Sequence, residues 1–238
     1  MGGTGRWRGT GAQHQGARPY QEDCWAMRAL ADGSLLAVVA DGMGGHAGGA
    51  EASRLAVEAF LETVADRGQS LAEGLAAANE AVRAGAMARP ELVGMGSTLV
   101  GVIVHEDRVQ WVSVGDSPFY LADGRQIVRL NADHSMTPRI EAMVAQGVLT
   151  REEGDRHPGR HTLREAVMGE PLSLIDEGTH DLSAGARLLV CSDGVQSLAD
   201  PELFAVSARP ALEIVESVLK LHRHQQDNVT VVSLERDE

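Results

Sequence analysis

Two runs of the chain are apolar at every central position and stop at an aspartate. Leu35-Leu36-Ala37-Val38-Val39-Ala40 leads into Asp41-Gly42, and the segment Arg187–Ser192 leads into Asp193-Gly194. An unbroken apolar run too short for a helix predicts a strand covered on both faces. Ser97–Val104 and Arg108–Val114 are β-branched runs split by His105-Glu106-Asp107, which predicts a hairpin. Phe119–Leu121, a turn at Asp123-Gly124, and Gln126–Leu130 are expected to continue it as a meander, and Val229–Leu234 predicts a closing strand. Helical spacing of Ala52, Leu55, Ala56, Ala59, Phe60 and Thr63 predicts a helix from Ala50 to Ala65. Leu71, Leu75, Ala78 and Val82 predict a second helix, Asp200-Pro201 the start of a third, and Ala211–His222 a fourth. Asp133 to Pro171 reads as a polar excursion with short helices, one opened by the capping-box spacing Thr150-Arg151-Glu152-Glu153. Such a segment is expected to lie over a site. Strands in hairpins and helices in pairs predict an α+β fold.

Composition narrows the function classes. Of 238 residues, 43% are hydrophobic and 23% charged, enough apolar surface to offset the entropy of ordering. The formal charge of −13, with no block of Lys or Arg, argues against nucleic acid as a partner. Cys24 and Cys191 form no C-x-x-C pair, so a reducing compartment is expected. Met1–Gly16 is Gly/Arg-rich without the apolar centre of a signal peptide, Arg6 breaks the myristoylation pattern, and no apolar run is long enough to span a bilayer. The expectation is a cytoplasmic, non-membrane protein with a flexible segment at 1–15 and one catalytic domain at 16–236, the excursion at 133–171 forming a flap.

Acidic residues stand at the ends of strong strands: Asp41 and Asp193 just after, Asp227 just before, with Glu22 and Asp23 in a plausible first-strand region. One Asp-Gly after a strand is ordinarily a turn. If these ends converge, several carboxylates share a small volume and require a cation; oxygen-only donors select a hard ion, Mg²⁺ or Mn²⁺.

The motifs then carry a family resemblance. Arg18-Pro19-Tyr20-Gln21-Glu22-Asp23, Val39-Ala40-Asp41-Gly42-Met43-Gly44-Gly45-His46, Gly96-Ser97-Thr98, Val114-Gly115-Asp116-Ser117, Asp133-His134-Ser135, Cys191-Ser192-Asp193-Gly194 and Asp227-Asn228-Val229-Thr230 occur in the order seen in bacterial metal-dependent protein phosphatases of type 2C. The chain resembles that family from Gly16 to Leu234. The resemblance implies a four-layer α-β-β-α sandwich, two antiparallel sheets flanked by helix pairs, with metals at one end. It implies that Asp41 bridges two Mn²⁺ or Mg²⁺ ions, that the Gly42 carbonyl binds one, and that Asp193 and Asp227 hold the other. Glu22 and Asp23 would act from nearby, Asp116 with Asp193 would form a third site, and Arg18 would clamp phosphate with its guanidinium fork. The implied reaction is hydrolysis of protein phosphoserine and phosphothreonine by a hydroxide shared between the ions, without a phosphoenzyme. The implied partners are phosphorylated targets of a bacterial Ser/Thr kinase, and the chain is expected to be a monomer.

The glycine run from Gly42 to Gly49 lacks a full G-x-G-x-x-G turn, since Ala47 stands at the last position, and the following strands read as antiparallel; nucleotide binding is set aside. His46 is open between a catalytic and a structural role. Cys24 and Cys191 lie beside Asp23 and Asp193, yet read as small buried hydrophobes. Pro118 departs from the family, which has Arg there, so the support of Asp116 is expected to differ; His161–Gly169 matches the usual flap sequence loosely. The alternative from another class is a phosphoprotein-binding regulator on the same fold, which should have lost metal carboxylates.

Overall fold

The computed structural model describes residues 6–44 and 47–237. Its elements in chain order are β1 (Trp7–His14), β2 (Asp23–Ala29), β3 (Leu35–Met43), α1 (Ala47–Leu61), α2 (Leu71–Ala88), β4 (Gly96–Ser97), β5 (Leu99–His105), β6 (Arg108–Val114), β7 (Phe119–Ala122), β8 (Ile127–Arg129), α3 (Thr137–Ala145), α4 (Arg151–Asp155), β9 (Asp176–Asp181), β10 (Arg187–Cys191), α5 (Asp200–Val206), α6 (Ala211–Leu219) and β11 (Val229–Arg236). They form two antiparallel sheets, β1-β11-β10-β7-β8 and β2-β3-β5-β6-β9, with β4 pairing β3.

The period of two in a strand explains why the strongest apolar runs are unbroken. Along β3, Leu35, Ala37 and Val39 point between the sheets, while Leu36, Val38 and Ala40 pack under α1 and α2 against Ala52, Phe60 and Leu75. Along β10, Leu188 and Val190 face the other sheet, while Leu189 and Cys191 pack under α5 and α6 against Leu203 and Ile214. Three apolar layers separate four structural ones, the α-β-β-α sandwich that the resemblance implies. Cys191 is fully buried and Cys24 partly buried in these layers, where burial pushes both thiols up and away from the nucleophilic thiolate.

Four expectations need correction. Residues 7–14 are not a flexible segment: they form edge strand β1, paired along its length with β11. The glycines that suggested flexibility are there for close packing. A Cβ on Gly11 would lie 2.2 Å from the Trp25 ring, and one on Gly9 2.5 Å from Met27 Sδ. Second, β7 and β8 do not extend the β5–β6 hairpin as a meander; the chain changes sheets between Val114 and Phe119. Gly115 makes the corner at φ +99°, a conformation that disfavours any side chain. Third, β9 was missed, because Asp176–Asp181 is a polar, largely exposed edge with no apolar alternation. Fourth, α1 begins at Ala47 and gives way to a π-turn over Glu62–Asp66, Asp200 is the first residue of α5 while Ala199, without a side-chain cap, holds the N-cap position, and α6 stops at Leu219.

The excursion after Asp133 carries α3 and the capped α4, with Thr150 and Glu153 bonding reciprocally. It returns over the strand ends through bridges between Ser135 and Leu163 and between Ser97 and Val167. Among the described residues no helix is long and apolar enough to cross a membrane.

Candidate metal and phosphate site

The sheet register brings the first two acids together. In the β2–β3 pair Asp23 stands opposite Asp41, at the end of the sandwich where both sheets open. Asp23 is 5% exposed, and its Oδ2 accepts hydrogen bonds from Ser192 Oγ (2.8 Å) and Thr230 Oγ1 (2.7 Å). Its Oδ1 is buried and receives no hydrogen bond. Burial pushes this carboxyl up to about 7 against the pull of the two hydroxyls, with Asp193 and Asp227 adding to the rise.

Asp41 ends the apolar run of β3. Its backbone N–H donates to Thr98 Oγ1 (3.0 Å), and its carbonyl accepts from Thr98 N (2.9 Å) and Ser97 Oγ (3.0 Å). Burial, then the charges of Asp23, Asp193, Asp116 and Asp227, hold its carboxyl well above the ordinary range. Gly42 follows, its N–H on the Glu22 carbonyl (3.1 Å); a Cβ there would meet the Gly49 carbonyl oxygen at 2.1 Å, so the first turn of α1 rests directly on the strand end.

Asp193 opens a short 3₁₀ turn after β10, and burial followed by Asp227 pushes its carboxyl up to about 6, with His161 and Arg18 opposing. Asp227 precedes β11 and receives Arg18 Nη2 at 2.6 Å. The loop that carries Arg18 and Glu22 is stapled to β11 by Asn228, which accepts from Glu22 N (2.7 Å) and donates to the Gln15 and Tyr20 carbonyls (2.8 and 3.0 Å). Asp116 sits in the corner where the chain changes sheets. Its carboxyl is pushed up to about 7 by burial, then by Asp193 and Asp133, with Arg129 opposing. Pro118 occupies the place expected for Arg, and a guanidinium arrives from β8 instead: Arg129 Nη2 donates to Asp116 O (2.9 Å), and Arg129 pairs with Asp133.

Arg18, Glu22, Asp41, Gly42, Asp116, Asp193 and Asp227 therefore line one cavity of about 570 Å³, with Asp23 directly behind Asp41. A larger cavity, about 680 Å³, lies at the opposite pole by the β5–β6 turn and contains none of them. His46 lies outside the described residues. Met43, Thr98, Asn228 and the flap residues His161, Thr162 and Leu163 also line the site without having been expected there. The motifs carried Thr98 and Asn228 without a role; nothing in the local sequence aims His161 inward.

These residues fit a hard divalent cation. Five carboxylates face a common space, a buried oxygen of Asp23 lacks a hydrogen bond, and neither thiolate nor a cluster of imidazoles competes among the described residues. Among the described residues no three acidic, imidazole or thiol side chains stand close enough together to hold an ion as they are placed, so binding requires the cavity carboxylates to draw together.

Comparison with known proteins identifies the family. The family model described as Protein phosphatase 2C matches residues 8–226, beginning inside β1. The serine/threonine protein phosphatase PstP of Mycobacterium tuberculosis is 34% identical over 213 residues, 84% of this chain and 40% of that protein. The serine/threonine phosphatase stp of Listeria monocytogenes is 30% identical over 234 residues, 92% of each chain. The chain thus spans less than half the length of PstP and nearly all of stp. The crystal structure of the PstP catalytic domain in complex with two manganese ions superposes with a TM-score of 0.77 at 28% identity, covering 98% of this chain and 99% of that one. With a family model covering most of its length and a relative 30% identical over 92% of both chains, the chain belongs to the protein phosphatase 2C family.

Proposed function

We propose that the chain is a metal-dependent phosphatase of phosphoserine and phosphothreonine in proteins. The observation that carries this reading is the convergence of five carboxylates and one guanidinium on a single open cavity in a chain of this family. Two Mn²⁺ or Mg²⁺ ions, with a third weaker one, supply Lewis-acid charge and activation of the attacking water when bound.

The chain's own groups divide the remaining work. Asp41, Asp193, Asp227 and the Gly42 carbonyl would hold the two ions, with Glu22 beside them on the cavity wall and Asp23 opposite Asp41, and Asp116 with Asp193 would hold the third. The carboxylates now destabilised by one another become favourable once cations neutralise them. Arg18 binds the phosphoryl oxygens. Its guanidinium is positioned by Asp227, leaving other N–H groups of the fork for substrate. Thr98, Ser192 and Thr230 orient the acids through hydrogen bonds to Asp41 backbone and Asp23 carboxylate. No side chain needs to become a nucleophile, consistent with the raised thiols of Cys24 and Cys191. Substrates are phosphorylated proteins, targets of a Ser/Thr kinase; the chain acts as a monomer in the cytoplasm.

The test is phosphate release from p-nitrophenyl phosphate and from a phosphothreonine peptide, each with and without Mn²⁺. Turnover of both only with Mn²⁺ is expected. Binding of the phosphopeptide without turnover at any Mn²⁺ concentration would replace the enzyme with a phosphoprotein-binding regulator.

A further inference from the structure

A phosphate entering the cavity meets mostly groups that cannot donate to it. Glu22, Asp41, Asp116, Asp193 and Asp227 are acceptors when ionised. Among the polar side chains, Thr98 is engaged with Ser117 Oγ (2.7 Å) and the Asp41 N–H, and Asn228 spends its amide N–H groups on the Gln15 and Tyr20 carbonyls. Among the described residues, the side-chain donors left on the walls are Arg18 on one side and the flap residues His161 and Thr162.

His161 is the better placed of the two. It is exposed to the cavity rather than packed in the core, and its imidazole is near enough to offset charge on Asp193, as Arg18 does. The backbone that presents it is clamped on both sides. Before it, the Arg160 guanidinium, 19% exposed, pairs with Glu141 at 2.5 Å and donates to Gly154 O, and the Arg160 carbonyl accepts from Thr137 Oγ1 at 2.9 Å. After it, the Thr162 carbonyl accepts from Met136 N at 2.9 Å, Leu163 bridges to Ser135, and Arg164 N donates to His134 O at 2.8 Å.

We propose that His161 is a second phosphate-binding donor, gripping a phosphoryl oxygen from the flap side while Arg18 grips from the β11 side. The inference rests on the phosphatase reading above and adds to it a residue of the flap. Neutral or charged, an imidazole keeps at least one N–H, so the role does not depend on its protonation. A donor of this kind grips substrate and inorganic phosphate product alike, so its loss falls mainly on ground-state binding.

The experiment compares wild type, His161→Ala and His161→Asn, all loaded with Mn²⁺. Steady-state turnover of the phosphothreonine peptide gives KM and kcat, calorimetric titration gives the Kd of inorganic phosphate, and thermal melting verifies the fold. For His161→Ala the phosphate Kd and the KM should rise together, each about tenfold, as for a lost hydrogen bond to a charged group, with the smaller part of the loss in kcat. His161→Asn keeps an N–H donor and should recover part of the affinity. An unchanged phosphate Kd in a folded His161→Ala, with wild type active, overturns this inference and leaves the phosphatase reading intact. A wild type that turns over nothing with Mn²⁺ overturns the reading itself, and the inference with it.

Discussion

Neutralising Asp116 should stabilise the metal-free protein, and by an amount that depends on pH in a definite direction. The Asp116 carboxyl is pushed up to about 7, first by burial and then by Asp193 and Asp133. Raising a carboxyl from its ordinary value near 3.9 to about 7 corresponds to about 4 kcal/mol against the charged form. Between those two pH values the folded chain holds the proton and the unfolded chain does not. Unfolding then releases a proton, and the free energy of unfolding falls as pH rises through the window. Below about pH 4 both states are protonated and the contribution vanishes; above about pH 7 both are ionised and the full cost is present. Asp116→Asn removes the charge but keeps a polar group that is itself costly to bury, so the expected gain is about 1–3 kcal/mol. Urea denaturation of the EDTA-stripped proteins at pH 4 and pH 8 measures it. The variant should match wild type at pH 4 and exceed it at pH 8. A variant no more stable than wild type at pH 8, or a gain equal at both pH values, would refute the electrostatic account of this cavity.

Asp41→Asn and Asp193→Asn should each abolish turnover of p-nitrophenyl phosphate while melting, without metal, at or above the wild-type temperature; loss of fold in the apo form would contradict the repulsion argument. Cys191→Ala should retain kcat and lose about 1 kcal/mol in urea, since the thiol only fills space under α5 and α6; loss of turnover in the folded variant would revive a thiolate nucleophile. Gly11→Val should cost about 1–3 kcal/mol because its side chain would drive into Trp25, whereas a flexible tail would tolerate it at no cost in the same denaturation assay.

How far the sequence discloses this molecule depends on how local the cause is. The two doubly covered strands, β3 and β10, announce themselves because both faces must be apolar, and the acids that follow them are legible as strand-end residues. Strand β1 was hidden because its pairing partner, β11, lies at the other end of the chain, and the vacated Cβ positions of Gly9 and Gly11 read locally as looseness. Strand β9 was hidden because an exposed edge needs no apolar face. The change of sheet at Gly115-Asp116 is invisible to periodicity, which tells which residues are buried but not between which layers. Arg129 and His161 reach the site from other segments, so neither the support of Asp116 nor the flap-side lining could be inferred from neighbouring residues. The proposed ligand set came from the family resemblance of the motifs, and the structure brings all of it except Asp23 to the wall of one cavity.

The central claim is that this cavity hydrolyses phosphoprotein through bound divalent cations. Its most direct test is phosphate release from a phosphothreonine peptide by exhaustively EDTA-stripped protein, titrated with Mn²⁺ and with Asp193→Asn run in parallel. The account predicts no turnover in the stripped wild type, saturable restoration by Mn²⁺, and no restoration in the variant. Undiminished turnover by the stripped protein, or restoration of Asp193→Asn to wild-type rates, would contradict it.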